Sequence, residues 1–270
     1  MSAAWPAHLF MIGCGNMAGQ MLSRWIACGL DPARVTVLRP SGRPVAPGVA
    51  VITDYPQALP PGTTVLIGMK PYQFADVAPN LARIAGADTQ FVSILAGTTA
   101  AQLRTALPDG AQIVRVMPNT PVGVGQGVCA LFADGATSGG TRDAVQALMT
   151  PLGLAEWIAD EGQFNLVTAL SGCGPAYLFR FIDALARAGA ALGLPRDQAG
   201  RLALATVQGA ATLAAASDES PGLLADRVAS PGGMTRQGMD VLDAEDRLVA
   251  LLTDTLRAAR DRGEEMARGA

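Results

Sequence analysis

Leu9-Phe10-Met11-Ile12 runs directly into Gly13-Cys14-Gly15-Asn16-Met17-Ala18, and Met21, Leu22, Trp25, Ile26 and Leu30 then recur at helical spacing. The order is a short apolar strand, a glycine turn and an amphipathic helix. G-x-G-x-x-A in that setting is the dinucleotide-binding fingerprint of a Rossmann βαβ unit. The first glycine makes the tight turn and the second lets a pyrophosphate approach the backbone. Ala18 is small enough for helix to pack on strand. Gly13, Gly15, Asn16, Met17 and Ala18 are therefore the expected pyrophosphate loop.

The next strand, Val35-Thr36-Val37-Leu38, ends in Arg39-Pro40-Ser41, with Arg43 close behind. A site selective for NADH places Asp or Glu here, to bind the ribose 2′-hydroxyl. A carboxylate repels a 2′-phosphate, whereas Arg39 and Ser41 bind one. NADPH is the expected cofactor, with NADH also admitted. The α/β rhythm continues through Thr64-Val65-Leu66-Ile67-Gly68-Met69, a helix over 73–84, Phe91-Val92-Ser93-Ile94-Leu95, a helix over 99–107, and Ile113-Val114-Arg115-Val116-Met117. In an open parallel sheet, ligands collect beyond the carboxyl ends of the strands. That rim carries Lys70-Pro71, Ala96-Gly97 and Pro118-Asn119-Thr120-Pro121. Lys70 is expected to meet a phosphate or ribose, and Asn119 to orient nicotinamide or substrate.

From about Gly162 the strand signals stop. Phe164, Val167, Leu170, Leu178, Phe179, Ile182 and Leu185 follow a helical period, with further helices expected over 198–216 and 234–260. Pro175, inside Ser171-Gly172-Cys173-Gly174-Pro175-Ala176-Tyr177, predicts a kink or break. The alanine-rich helix at 198–216 buries little area and packs tightly, which suits a subunit interface as well as a core. The charged run over 257–268 is expected to be a solvated face. The chain thus divides into an α/β domain, 1–161, with a mainly parallel sheet, and an all-helical part, 162–270.

Near the far end stands Ser230-Pro231-Gly232-Gly233-Met234-Thr235. Ser at an N-cap and Pro at the first helical position announce a helix start. Two glycines there cost about 1 kcal/mol each in helix propensity. They also leave the backbone open to a ligand, and free amides at a helix start hold anions. The segment reads as a carboxylate site with the Thr235 hydroxyl beside it.

Half of the 270 residues are hydrophobic, 16% are charged, and the formal net charge is −3. That balance supplies a core and argues against a nucleic-acid surface, which needs clustered Lys and Arg. No uninterrupted apolar run is long enough for a membrane span. No basic region followed by an apolar stretch precedes the first strand, so a cytoplasmic location is expected. Cys14, Cys28, Cys129 and Cys173 lack zinc-knuckle or CxxC spacing, and buried free thiols are the expected state for most. His8 is the only histidine, expected at a strand edge or the surface. This removes Ser-His-Asp, Cys-His and HExxH chemistry from consideration.

These motifs, in this order and over nearly the whole length, resemble the pyrroline-5-carboxylate reductase family. The matching stretches are Ile12–Met17, Lys70-Pro71, Ala96-Gly97, Met117–Pro121, Ser171–Tyr177, and Asp226-Arg227-Val228 followed by Ser230–Thr235. The resemblance implies reduction of the cyclic imine 1-pyrroline-5-carboxylate to L-proline by hydride from NAD(P)H. It implies a substrate carboxylate held by Ser230, Gly232 and Gly233, with Thr235 facing the ring nitrogen. Asn119 and Cys173 belong to the implied substrate site. It implies an N-terminal Rossmann domain and a helical dimerisation domain, with the active site where one subunit's helices meet the partner. The implied assembly is at least a homodimer, extending in the family to a ring of dimers. Cys173 departs from the family's usual Ser, and a thiol is the weaker donor. Met234 stands where a small residue or Thr is common. A β-hydroxyacid dehydrogenase shares the plan but needs a helix Lys as acid, and 162–270 contains no lysine. A cofactor-binding sensor without turnover is the reading from another class.

Overall fold

The structure, a computed structural model, describes residues 5–268. The elements run β1 (His8–Ile12), α1 (Asn16–Ala27), β2 (Val35–Leu38), β3 (Ala50–Ile52), β4 (Thr63–Ile67), α2 (Phe74–Ile84), β5 (Gln90–Ser93), α3 (Ala100–Ala106), β6 (Gln112–Pro118), β7 (Gly127–Phe132), α4 (Gly139–Met149), β8 (Gly153–Trp157) and α5 (Phe164–Val167). There follow α6 (Gly174–Ala191), α7 (Arg196–Ala215), α8 (Pro221–Val228), α9 (Met234–Asp243) and α10 (Arg247–Arg268). Among the described residues no helix is long and apolar enough to cross a membrane.

Among the described residues one sheet holds eight strands in the order β3-β2-β1-β4-β5-β6-β7-β8, parallel except for the antiparallel β6–β7 pair. Both faces of the central strands are covered, so those strands are mostly apolar and alternation sorts their residues between two cores. Leu9 and Met11 join Met21, Leu22 and Trp25 of α1 and Leu148 and Met149 of α4. Phe10 and Ile12 join Phe74 and Leu81 of α2 and Leu103 of α3. Trp25, fully buried, donates from Nε1 to the Leu148 carbonyl at 2.7 Å, tying α1 to α4. β1 has β2 on one side and β4 on the other, so the strand order reverses about it. That switch point opens the crevice where such sheets bind ligands.

The chain forms two compact units, residues up to 173 together with 259 onward, and 174–258. The division expected at 161/162 thus falls ahead of the change in packing, because Phe164 is buried against Met117 and Ala130 of the sheet. A π turn over Thr168–Gly172 ends this segment, and α6 starts at Gly174. This is the break expected at Pro175, placed just before the proline. In the second unit, α6 and α7 pack side by side as a hairpin through Gly193. The helix expected over 234–260 is two helices. Glu245 and Asp246 adopt φ of 54° and 53° between α9 and α10, and that left-handed backbone cannot continue a helix. Only Cys129 of the four thiols is fully buried. Cys14 and Cys173 are half-buried and Cys28 is exposed, against the expectation for most of them.

Candidate active site

A cleft of about 640 Å³ lies over the carboxyl ends of β1, β2 and β4. It is lined by Gly13, Gly15, Asn16, Met17, Ala18, Arg39, Ser41 and Lys70, all expected from sequence. Gly13 takes φ of +79°, and a Cβ there would press on Met69 at 3.3 Å. Gly15 is the N-cap of α1, no side chain caps that helix, and a Cβ on Gly15 would have nothing within 4 Å. The first-turn amides of α1 therefore face open space with no capping side chain, a ready anion site. On the β2 side, the Arg39 amide donates to the Ile52 carbonyl at 3.0 Å, and the Gly42 amide closes a turn onto the Arg39 carbonyl at 3.1 Å. This holds Arg39 and Ser41 at the cleft wall. Thr53 and Tyr55, which the sequence reading missed, complete that wall beyond β3. Their only signal is a position after a three-residue strand, too short to show a period. The residues fit a dinucleotide bearing a 2′-phosphate.

Cys14 also lines the cleft, and burial pushes its thiol pKa up while Arg39 partly offsets it. The group is a neutral thiol at pH 7. Burial likewise pushes Cys129 up to about 12.

The remaining rim residues lie elsewhere. Pro71 and Ala96 line a neighbouring hollow of about 870 Å³ with Tyr72, Thr98, Gln102 and, from the end of α10, Arg262 and Met266. Gly97 takes φ of +75°, and a Cβ there would lie 3.7–3.8 Å from the Ala267 backbone. Asn119 is buried, and both ends of its amide are engaged. Nδ2 donates to the Ser171 carbonyl at 2.9 Å, and Oδ1 accepts from the Val128 amide at 2.8 Å. Asn119 was expected to orient nicotinamide or substrate. Its geometry makes it a clamp that joins β6, β7 and the π turn leading to Cys173. The Cys173 amide closes that turn on the Thr168 carbonyl at 2.9 Å.

In the second unit, Ser230-Pro231-Gly232-Gly233 is a turn rather than the start of a helix. The Gly233 amide donates to the Ser230 carbonyl at 2.9 Å, and Gly232 takes φ of +71°. Gly233, not Ser230, is the N-cap of α9, and no side chain caps it. The correction moves the helix start three residues along and leaves the first-turn amides of Met234, Thr235 and Arg236 without a side-chain cap. Thr235 sits in that first turn with its side chain exposed. Arg236 donates to Asp226 Oδ1 at 3.0 Å, linking α9 back to α8.

His8 bridges strands. Its Nδ1 lies 3.1 Å from Thr63 Oγ1 and its Nε2 3.0 Å from Thr36 Oγ1. Among the described residues no cluster of three His, Cys, Asp or Glu is arranged to hold a metal.

Two family profiles match the chain. One, described as pyrroline-5-carboxylate reductase dimerisation, covers residues 161–266. The other, NADP oxidoreductase coenzyme F420-dependent, covers residues 9–97. A solved structure of a pyrroline-5-carboxylate reductase from Coxiella burnetii superposes with a TM-score of 0.86 at 31% identity, covering 97% of this chain and 98% of that one. The Plasmodium falciparum pyrroline carboxylate reductase, solved with NADP bound, shares the fold at a TM-score of 0.81 and 24% identity, covering 97% and 98%. The pyrroline-5-carboxylate reductase of Pseudomonas aeruginosa is 34% identical over 96% of this chain and 97% of its own length. With identity of that order kept from the glycine loop to the last helix, the chain belongs to the pyrroline-5-carboxylate reductase family.

Proposed function

We propose that this chain reduces 1-pyrroline-5-carboxylate to L-proline, the last step of proline biosynthesis, with NADPH as the hydride donor. The observation that carries the reading is the whole-length likeness to a reductase of that name. Bound NADPH supplies the hydride. Gly13, Gly15, Asn16, Met17 and Ala18 hold its pyrophosphate at the start of α1, and Arg39 and Ser41 take the 2′-phosphate. Lys70, Pro71, Ala96 and Gly97 line the path of the nicotinamide half. The amides and the Ser230 hydroxyl of the turn before α9 fix the substrate carboxylate, which sets the ring face presented for reduction. Thr235 hydrogen-bonds the ring nitrogen as it becomes an amine. Asn119 and Cys173 are assigned to the same substrate site. We keep 161/162 as the functional boundary, with cofactor residues before it and substrate residues after it.

The exposed apolar helices of the second unit and the dimerisation profile support a homodimer, and a ring of such dimers is the larger assembly we propose. A soluble imine and a soluble nicotinamide pool support a cytoplasmic location.

The test is direct. Protein, NADPH and pyrroline-5-carboxylate are mixed and the nicotinamide absorbance is followed, with piperideine-carboxylate in the same panel to read ring size. NADPH binding with no oxidation across the panel would favour a sensor and overturn the proposal. Thr235→Ala is expected to lower kcat/KM by one to two orders of magnitude, about 1.4 kcal/mol per tenfold. An unchanged kcat/KM removes Thr235 from the mechanism.

A further inference from the structure

We infer that Glu161 is a positioning residue for the nicotinamide end of the cofactor cleft, acting through the start of α3; the inference rests on the cofactor assignment above. One carboxylate oxygen, Glu161 Oε1, accepts two hydrogen bonds. Arg115 Nη1 donates at 2.5 Å and the Ala100 amide at 2.7 Å. Ala100 is the first residue of α3, three residues past Gly97. Thr99 caps α3 through Gln102, and Glu161 satisfies the one further amide of Ala100; the effect of that bond is to hold the Ala96–Gly97 rim turn.

Arg115 explains why Glu161 stays in place. It is 4% exposed on β6, its guanidinium lies 3.9 Å over the Phe164 ring, and its Nε finds no hydrogen-bond partner among the described residues. Burial lowers the Arg115 pKa and the Glu161 contact raises it. A buried guanidinium so sparsely paired cannot lose its carboxylate cheaply. Glu161 is thus held by charge, and Ala100 is held by Glu161.

The sheet order gives this a direction. Arg39 and Ser41 follow β2 on one side of β1, while β4 and β5 lie on the other. A dinucleotide with its adenine half toward β2 extends its other half toward β5 and the Ala96–Gly97 turn. Lys70 lines the first cleft and Pro71 the second, so the boundary between the two falls at that dipeptide. A displacement of about 1 Å at a reacting centre costs up to about a hundredfold in rate.

The test compares wild type, Glu161→Ala and Glu161→Gln, the last keeping an acceptor for the Ala100 amide. Hydrogen exchange over 96–103 is expected to quicken in Glu161→Ala. NADPH affinity and kcat are each expected to fall about tenfold, with KM for the imine and affinity for adenosine 2′,5′-bisphosphate held within about twofold. Glu161→Gln falls between, and carries the same readouts if the alanine variant does not fold. Unchanged exchange with unchanged NADPH affinity overturns the inference. So does an equal loss for NADPH and the bisphosphate, which marks general loosening. If wild type binds NADPH but reduces no imine, the proposed function fails, while exchange and the two affinities still decide the role of Glu161.

Discussion

Gly13 and Gly15 are two residues apart and serve opposite purposes. Gly13 is demanded by the protein, because its φ of +79° and the 3.3 Å approach of Met69 exclude a side chain. Gly15 is not, since its φ is −79° and a Cβ would meet nothing within 4 Å. Gly13→Ala is therefore expected to cost about 1–2 kcal/mol of stability. Gly15→Ala is expected to leave the denaturant midpoint unchanged and to weaken NADPH binding by tenfold or more, about 1.4 kcal/mol per tenfold. Chemical denaturation and cofactor titration separate the two; NADPH binding at wild-type strength in Gly15→Ala would falsify the pyrophosphate assignment. His8 gives a second residue-scale expectation. The Thr63 hydroxyl donates to the Pro60 carbonyl at 2.6 Å, so it can only accept from His8. Nδ1 then carries the proton and Nε2 accepts from Thr36. Burial lowers the His8 pKa below 6.5, so the unfolded chain binds the proton more readily. The stabilisation from neutral His8 is full above about pH 6.5 and is lost as pH falls through the folded value. As the sole histidine, its ring proton resonance titrates without overlap. A midpoint at or above 6.5 would contradict the burial argument.

At the scale of elements, two Ser-Pro-Gly stretches ten residues apart fold differently. Ser220-Pro221-Gly222-Leu223 starts α8, with Ser220 Oγ accepting from the Leu223 amide at 3.3 Å. Ser230-Pro231-Gly232-Gly233 makes a turn, because the second glycine removes the helix former that Leu223 supplies and Gly232 adopts a positive φ. Sequence reading marked this stretch as a helix start but misplaced the helix, since Ser-Pro alone does not distinguish the two outcomes. The cofactor cleft was more legible, because the glycine fingerprint states a backbone conformation directly. β3 at three residues and the partly exposed edge strand β8 carry no comparable signal. Asn119 shows the limit in another way. Its place between two prolines on the rim suggested a ligand contact, but its partners, Val128 and Ser171, are 9 and 52 residues away. Asn119→Ala leaves a buried amide and a carbonyl unpaired, and is expected to cost about 1–3 kcal/mol. A loss below about 0.5 kcal/mol by urea unfolding would show that the clamp is dispensable.

At the scale of the whole molecule, the second unit lacks a core of its own. Neither α6, α8 nor α9 has a fully buried residue, and α7 buries only Ala199 and Ala203. Phe179, Leu192, Leu213 and Leu251 are each more than 60% exposed in the single chain. Apolar surface on that scale marks an interface in a monomer that folds stably. The match of 161–266 to a dimerisation profile names the kind of partner, a second copy of the same chain. Folding and assembly should then be coupled, and stability should depend on protein concentration. For a dimer that unfolds to separate chains, a tenfold rise in concentration adds about 1.4 kcal/mol, so Tm rises measurably between micromolar and hundred-micromolar samples. Sedimentation equilibrium should return at least twice the 27.7 kDa chain mass. Leu213→Glu places a charge on the exposed face of α7 and should weaken assembly, lowering Tm at a given concentration and moving the measured mass toward that of one chain. A wild-type Tm independent of concentration, together with a monomer mass at micromolar protein, would mean that these helices are covered by something other than a second copy.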